Sequence, residues 1–322
     1  MKKDKSSNIN GKKKKSNVKV AFWGVRGSIP SPGADTVKYG GNTSCVSVEL
    51  SENRYIILDA GSGIRLMGNS LLGKGKASGN TIDLFITHTH WDHIQGLPFF
   101  ATAFIKGNHI RVFGPKLFGQ SLEKIISNQM EHSYFPIRLK SLGANISFKE
   151  LNIGQFSELI DGVIVETIMN NHPVIDMSYK FTFKSTGKSI AYVTDFELYN
   201  QAYMDAVKKS KKININKIGE KLYCDLFDSL SEFVSECDLL IMDSVYLKEE
   251  YPSKIGWGHS CFEDVYNLAV ESNVKNLCFF HHEPNRKDSE LLSIENKFKK
   301  INKNRGKLKS VFAAAEGMEL LL

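Results

Sequence analysis

The fold is decided by the stretch Thr87-His88-Thr89-His90-Trp91-Asp92-His93, which directly follows an apolar run. Residues two apart at the end of a strand project to the same side, so His88 and His90 can bind one cation together. Asp92 and His93 lie where a helix would begin and can face a second cation. Imidazoles with a carboxylate suit zinc, with manganese or iron as alternatives. Because the chain has only nine histidines, this density of ligand types argues against chance and predicts a metal site.

Later parts of the chain offer three further ligands, each at or just beyond the end of a predicted strand. They are His172, Asp195 and His281. Taken singly, His172 could be a structural loop histidine before proline, Asp195 a helix N-cap and His281 a structural histidine at a strand-to-loop junction. Together they can lie on one rim of the fold, where the Asp195 carboxylate could bridge two cations. His282 is the alternative to His281, which we prefer because it directly follows the apolar strand.

The alternation of apolar runs and amphipathic stretches predicts an α/β protein. Strands are predicted at Val18–Trp23, Ser44–Leu50, Tyr55–Asp59, Thr81–Thr87, Ile110–Phe113, Val163–Met169, Tyr179–Ser185, Lys188–Thr194, Leu239–Asp243 and Leu277–Phe280. Helices are predicted at Ile64–Leu72, His93–Phe104, Leu117–Met130, Phe262–Ser272 and Glu290–Lys300. Two packed sheets with helices outside, a four-layer αββα sandwich, accommodate this order.

The net charge of +7 belongs to a tail and not to the folded body. Seven lysines and one aspartate within residues 1–17 account for six of the seven charges. With almost no apolar side chains, this segment cannot offset the entropy of ordering, and we expect it to be disordered. Residues 18–322 form one predicted domain, and residues 200–236 read as a helical insert that forms a lid, a rim or a plain surface helix.

The composition also bears on location. No apolar run approaches the roughly 20 residues of a membrane span, and the residues after the tail do not resemble a signal peptide. The five cysteines, Cys45, Cys224, Cys237, Cys261 and Cys278, are scattered and without a C-x-x-C pair. They are expected to be reduced, mostly buried thiols, and the protein is expected in the cytoplasm.

The H-x-H-x-D-H stretch with distant His, Asp and His resembles the metallo-β-lactamase superfamily. Residues 58–63 (LDAGSG) resemble its strand-Asp-Gly motif, whose Asp supports the metal loop without binding metal. Residues 22–28 (FWGVRGS), 40–45 (GGNTSC) and 256–260 (GWGHS) are similar to the phosphodiesterase-like branch, with ribonuclease Z, phosphonate-pathway cyclic phosphodiesterases and class II cyclic-nucleotide phosphodiesterases. The likeness covers about residues 18–284 except 200–236.

The resemblance implies a role for each candidate. The first metal would be held by His88, His90 and His172. The second would be held by Asp92, His93 and His281, with Asp195 bridging both. His259 matches the G-H-S/T histidine that contacts the phosphate and helps to protonate the leaving oxygen; its structural alternative is a place beside the start of the next helix, with Ser260 as the cap.

The implied reaction is the hydrolysis of a phosphodiester by a hydroxide that bridges two divalent ions. Zn²⁺ is the expected metal, with Mn²⁺ or Fe²⁺ as alternatives. Val174-Ile175-Asp176 replaces the Gly-Gly of close relatives and is expected to narrow the pocket. No counterpart of the Gly/Pro-rich arm of ribonuclease Z is evident, which favours a small molecule or nucleotide over tRNA. Thioester or other ester hydrolysis, flavodiiron-type oxygen chemistry, and a non-catalytic metal- and RNA-associated protein are the alternatives, and a homodimer is left open.

Overall fold

The computed structural model describes residues 18–117, 119–198 and 217–322, and side chains within 217–225 are not described. The strands are β1 (Lys19–Gly24), β2 (Cys45–Ser51), β3 (Arg54–Leu58), β4 (Thr81–Phe85), β5 (His109–Pro115), β6 (Asn145–Leu151), β7 (Phe156–Ile160), β8 (Val163–Met169), β9 (Met177–Phe183), β10 (Lys188–Val193), β11 (Leu239–Asp243), β12 (Asn276–Phe280), β13 (Ser310–Ala313) and β14 (Glu319–Leu321). The helices are α1 (Ile64–Gly73), α2 (Trp91–Ile94), α3 (Leu122–Asn128), α4 (Lys217–Val234), α5 (Phe262–Glu271) and α6 (Asp288–Arg305).

The described strands form two seven-stranded mixed sheets. The first has the order β14-β1-β2-β3-β4-β5-β6, and the second has the order β13-β12-β11-β10-β9-β8-β7. In the first sheet, pairing is antiparallel from β14 to β3 and parallel from β3 to β6. In the second, it is antiparallel from β7 to β10 and parallel from β10 to β13. Each sheet therefore changes from antiparallel to parallel pairing at one strand, which is β3 in the first sheet and β10 in the second.

Burial explains why these segments are strands. The central strand β11 reads LLIMD and is buried at every position, as expected for a parallel strand covered on both faces. The edge strand β6 reads NISFKEL and alternates between more and less exposed positions. The two sheets face each other through a shared apolar core, in which the rings of Phe85 and Phe181 meet edge to face at 5.0 Å.

Two further apolar clusters cover the outer faces of the sheets. α1 packs on the first sheet through Ile64 and Met67, and α5 and α6 pack on the second through residues such as Val265 and Phe298. The layers are therefore helix, sheet, sheet and helix. The predicted αββα sandwich is confirmed.

The predicted helix His93–Phe104 is wrong. The structure has only the single turn α2, followed by short 3₁₀ segments at Leu97–Phe99 and Ala101–Phe104. Gly96 lies so close to Gly61 that a Cβ at Gly96 would come within 2.0 Å of the Gly61 carbonyl oxygen. This approach and Pro98 end the helix after one turn, because proline lacks the N–H that a continuing helix needs. The predicted helix Leu117–Met130 is also shorter, at Leu122–Asn128.

Parts of the remaining predictions fall outside the described residues. The tail 1–17 and residues 200–216 of the predicted insert lie there, whereas the rest of the insert includes the helix α4. Cys45, Cys237, Cys261 and Cys278 are buried, and none of them is in a disulfide within the described chain. Among the described helices, none combines the length and the apolar character needed to cross a membrane.

Candidate metal centre

The predicted site residues lie where strands end, at one edge shared by the two sheets. The stretch 87–93 follows β4 of the first sheet and includes the one-turn helix α2. The other residues come from the second sheet: His172 lies between β8 and β9, Asp195 follows β10, and His281 follows β12. Strand ends from both sheets therefore bring together side chains that are far apart in the chain.

His88, His90, His172 and Asp195 form the first group of donors, with ligating atoms all within 4.8 Å of one another. His90 Nδ1 is 2.9 Å from His88 Nε2 and 3.2 Å from His172 Nε2. Asp195 Oδ2 is 3.6 Å from His88 Nε2 and 3.8 Å from His172 Nε2. Three ring nitrogens and one carboxylate oxygen thus converge on a common space.

Asp92, His93, Asp195 and His281 form the second group under the same 4.8 Å limit. Asp92 Oδ2 is 3.2 Å from His93 Nε2 and 3.1 Å from His281 Nε2. Asp195 Oδ1 is 3.4 Å from His93 Nε2 and 3.0 Å from His281 Nε2. Asp195 therefore directs one oxygen at each group and joins them.

Three of the strand-end residues adopt a left-handed backbone. Asp59 has φ 58°, Asp195 has φ 56° and His281 has φ 56°. Residues other than glycine seldom adopt this conformation, which carries a strain of about 1–3 kcal/mol each and is found most often at functional sites. The turn at each position redirects the chain as it leaves its strand and aims the side chain at the centre.

Asp59 fixes the orientation of His93. Its buried carboxylate accepts hydrogen bonds from His93 Nδ1 at 2.8 Å, from Thr87 N at 2.8 Å and from Tyr192 Oη at 2.9 Å. Because Nδ1 donates to Asp59, Nε2 is the ring atom of His93 that faces the second group. This is the support expected of the Asp in residues 58–63.

His282 points away from the centre. Its Nε2 donates to the carbonyl oxygen of Ala314 at 2.9 Å, and burial lowers the pKa of His282 to about 3. His281, by contrast, lies in the second group. The geometry therefore favours His281 as the ligand.

His259 borders both donor groups. Its ring lies 5.1 Å from that of His281 and 5.8 Å from that of His172. Nδ1 of His259 faces the buried Asp243 at 3.4 Å from Oδ2, a distance that is an ion-pair approach rather than a good hydrogen bond. Burial alone would lower the pKa of His259, but the carboxylates of Asp195 and Asp243 outweigh it and raise that pKa.

Glu197 holds the loop that carries His259. Its buried carboxylate accepts hydrogen bonds from Gly256 N at 2.8 Å, Gly258 N at 2.9 Å and Tyr251 Oη at 2.7 Å. Gly258 has φ 83°, and a Cβ there would come within 2.1 Å of His172 Nδ1, so only glycine allows this approach. The loop therefore lies next to the first donor group at Gly258 and next to the second donor group at His259.

The pKa shifts of the donors depend on the balance between burial and neighbouring charges. Burial lowers the pKa of His172 to about 4 and that of His88 well below its ordinary value, so both rings favour the neutral form that binds cations. Burial would raise the pKa of Asp92 and Asp195, but neighbouring histidines outweigh it and lower both. Burial would lower the pKa of His93, but Asp92, Asp195 and Asp59 raise it.

The donors fit divalent cations. Tetrahedral zinc with Zn–N bonds of about 2.0–2.1 Å places its ligand atoms about 3.3 Å apart. The closest pairs in the two groups are separated by 2.9 to 3.8 Å. Ring nitrogens that face each other without a proton repel at such distances, and a cation between them removes that repulsion. Histidine with carboxylate suits zinc, manganese and iron alike, so the donor types do not select one metal.

Three buried acidic residues beside the centre were missed as site residues by sequence reasoning. Asp243 ends the predicted strand Leu239–Asp243, the same signal that pointed to Asp195, and could have been found in that way. Glu197 carries no such signal. Asp176 was expected to narrow the pocket with Val174 and Ile175, but it points inward and is fully buried, whereas Val174 is 39% exposed.

Comparisons with known proteins agree with this fold. The sequence model of a family described as "Anti-Pycsar protein Apyc1" matches residues 33–216, more than half of the chain, and ends before His259 and His281. The chain is 27% identical to a ribonuclease Z of Nanoarchaeum equitans over 221 residues, which span 62% of this chain and 66% of the relative, just under two thirds. It is 24% identical to a ribonuclease Z of Picrophilus torridus over 302 residues, which span 88% of this chain and 91% of the relative.

Among solved structures, unliganded yeast PDE1 superposes with a TM-score of 0.66 at 16% identity, covering 95% of this chain and 99% of that one. The metallo-β-lactamase fold protein YhfI of Bacillus subtilis superposes with a TM-score of 0.58 at 15% identity, covering 94% of this chain and 99% of that one. These matches confirm the predicted metallo-β-lactamase fold and the resemblance to its phosphodiesterase-like branch.

Proposed function

The chain belongs to the family of the anti-Pycsar protein Apyc1, and from that premise we propose that it is a metal-dependent phosphodiesterase. The observation that carries the proposal is the shared carboxylate of Asp195, whose two oxygens face two separate donor groups. A carboxylate so placed can hold two cations side by side. The names of the relatives, ribonuclease Z and PDE1, support a phosphodiester as the bond that is cut.

The proposed ligands divide as the two groups do. His88, His90 and His172 would hold the first cation, Asp92, His93 and His281 would hold the second, and Asp195 would contribute one oxygen to each. When bound, two divalent cations lower the pKa of a water molecule and neutralise charge that develops on the phosphate. Zn²⁺ is the proposed metal, with Mn²⁺ or Fe²⁺ as alternatives.

His259 supplies the proton to the leaving oxygen. Its Nδ1 faces Asp243, which leaves Nε2 for the substrate. The carboxyl group of Asp243 beside Nδ1 favours the protonated ring, which a general acid requires. Ser28 N donates to Asp92 Oδ2 at 2.8 Å and helps to hold that ligand in place.

A small molecule or nucleotide is the proposed substrate in preference to RNA. A cavity of about 240 Å³ lies beside His259 and His281 and is bordered by Lys254 and Trp257, whose ammonium and ring lie 4.2 Å apart. This is near the lower limit of about 300 Å³ for small-molecule pockets. Outside residues 1–17 the chain carries a net charge of only about +1, whereas a polyanion calls for a basic surface.

A substrate panel tests the proposal. Purified protein is assayed for metal content and for hydrolysis of an aryl phosphodiester, cyclic nucleotides, a precursor tRNA, a thioester and a β-lactam. We expect two divalent ions per chain and turnover of the phosphodiesters. Activity confined to the thioester or lactam would replace the proposal with the ester-hydrolase alternative, and absence of metal binding would reject it. Cytoplasmic location and a homodimer stay predictions, for fractionation and light scattering to test.

A further inference from the structure

Asp176 is a fully buried carboxylic acid directly behind His88. It lies in the loop between β8 and β9, the same loop that carries His172, and its exposed fraction is 0%. The loop is fastened to the metal stretch by a hydrogen bond of 3.1 Å from Met177 N to the carbonyl oxygen of Thr87. The same loop therefore places His172 in the first donor group with His88 and places the Asp176 carboxyl group next to His88 Nδ1.

The side chain of Asp176 lacks ordinary partners. Among the residues that the structure describes, none donates a hydrogen bond of good geometry to either carboxylate oxygen. Asn170, its amide neighbour, donates instead to the carbonyl oxygen of Thr194 at 2.7 Å and accepts from Ser178 Oγ at 2.6 Å. An isolated buried acid destabilises a fold, so packing alone does not explain why Asp176 is buried here.

The ring of His88 faces Asp176 at ion-pair distance. Its Nε2 faces the first donor group, 3.6 Å from Asp195 Oδ2, while its Nδ1 lies 3.6 Å from Asp176 Oδ1 and 3.2 Å from Thr87 Oγ1. Thr87 Oγ1 can donate to the Asp59 carboxylate at 3.0 Å and still accept from His88. Nδ1 of His88 therefore faces a hydroxyl acceptor with the Asp176 carboxyl group just beyond it.

We propose that Asp176 is a positioning residue for His88, which keeps the proton on Nδ1 and the lone pair of Nε2 directed at the first group. Histidines that bind a metal commonly have a carboxylate behind the ring, and such partners affect metal affinity without touching the metal. Asp59 holds that place behind His93 in the second group. The inference rests on the proposed function, because it needs a cation at the first group.

The test measures metal affinity and stability separately. Full-length protein is stripped of metal and titrated with Zn²⁺ alone against a chromophoric chelator, for the wild type, Asp176→Asn and Asp176→Ala. Asp83→Asn is the matched control, since Asp83 is also buried but pairs with Arg111 at 2.6 Å on the strand before the metal stretch. Thermal unfolding of each metal-free protein is recorded beside the titrations.

We expect both Asp176 variants to lose about 10- to 100-fold in affinity for one of two Zn²⁺ equivalents. The metal-free variants should unfold no earlier than the wild type, because no hydrogen bond is removed. In the zinc-loaded wild type, NMR should show a slowly exchanging His88 Nδ1 proton that the variants lack.

Unchanged affinity in both variants would overturn the inference, as would a loss of affinity matched by an equal loss of metal-free stability, which would indicate a structural role. Failure of the wild type to bind Zn²⁺, Mn²⁺ or Fe²⁺ would instead reject the proposed function itself.

Discussion

Replacing Asp59 with asparagine should empty the second metal position while the fold stays intact. Asp59 lies outside both donor groups and acts only through its partners His93, Thr87 and Tyr192. The amide of asparagine keeps one acceptor oxygen and replaces the other with an N–H donor. If the retained oxygen serves Thr87 N, the amide nitrogen faces His93 Nδ1 and Tyr192 Oη.

His93 must then reverse its tautomer, accept at Nδ1 and carry its proton on Nε2. Nε2 is the atom that lies 3.2 Å from Asp92 and 3.4 Å from Asp195, so the reversal removes one donor from the second group. Restoring the ligand tautomer breaks the hydrogen bond from the amide to Nδ1 and leaves two N–H groups facing each other, which costs about 1–3 kcal/mol for the unpaired buried donor. This corresponds to about a 10- to 100-fold loss of affinity, in line with the usual effect of such partners.

The assay is a chelator-competition titration of the metal-free protein together with metal analysis after dialysis. Asp59→Asn should retain one tightly bound ion where the wild type retains two, and Asp83→Asn should behave as the wild type does. Two ions bound with wild-type affinity by Asp59→Asn would refute the tautomer argument. Loss of both ions together with early unfolding would show that Asp59 is needed for the fold instead.

Three further predictions concern the surroundings of the centre. His259→Ala should lower kcat by about 100-fold or more with metal content intact. Because its neighbours raise the pKa of His259, the activity of the wild type should fall as the pH rises through that pKa. The same fall in activity at alkaline pH in His259→Ala would contradict the role of His259 as the proton donor. Glu197→Gln leaves at least one loop donor without an acceptor, so the free energy of unfolding should fall by about 1.5–3 kcal/mol, measured by urea titration; unchanged stability would show that the loop is held otherwise. Deleting residues 1–17 should leave turnover of an aryl phosphodiester unchanged, and a large fall in kcat would give the tail a catalytic role.

The sequence predicted the layers and the donors because both depend on local patterns. Apolar runs marked the buried strands, and the spacing of His88, His90, Asp92 and His93 needed only one strand end and one helical turn. His172, Asp195 and His281 could be proposed because each ends a strand. The choice of His281 over His282 followed from the same rule, since the first residue beyond the strand turns toward the centre.

What could not be predicted depends on contacts between distant segments. The approach of Gly96 to Gly61, which breaks the predicted helix, exists only once the two loops are packed together. From the sequence, Asp176 is expected only to add side-chain volume beside His172. Its position next to His88 Nδ1 depends on the hydrogen bond between Met177 N and the carbonyl oxygen of Thr87, which joins two distant segments. Glu197 likewise has no neighbour in sequence among the loop residues that it holds.

Each donor group takes two residues from each sheet, so a bound ion would oppose the separation of the two sheets on unfolding. The first group joins His88 and His90 to His172 and Asp195, and in the second group His93 meets His281 across 188 residues of chain. A bound ion would then act as a tether between the halves, in the way that a covalent cross-link does. At a free metal concentration of 100 Kd, each ion would add about 2.7 kcal/mol against unfolding. A chelator would therefore act as a mild denaturant of this protein, and neither half alone could retain an ion.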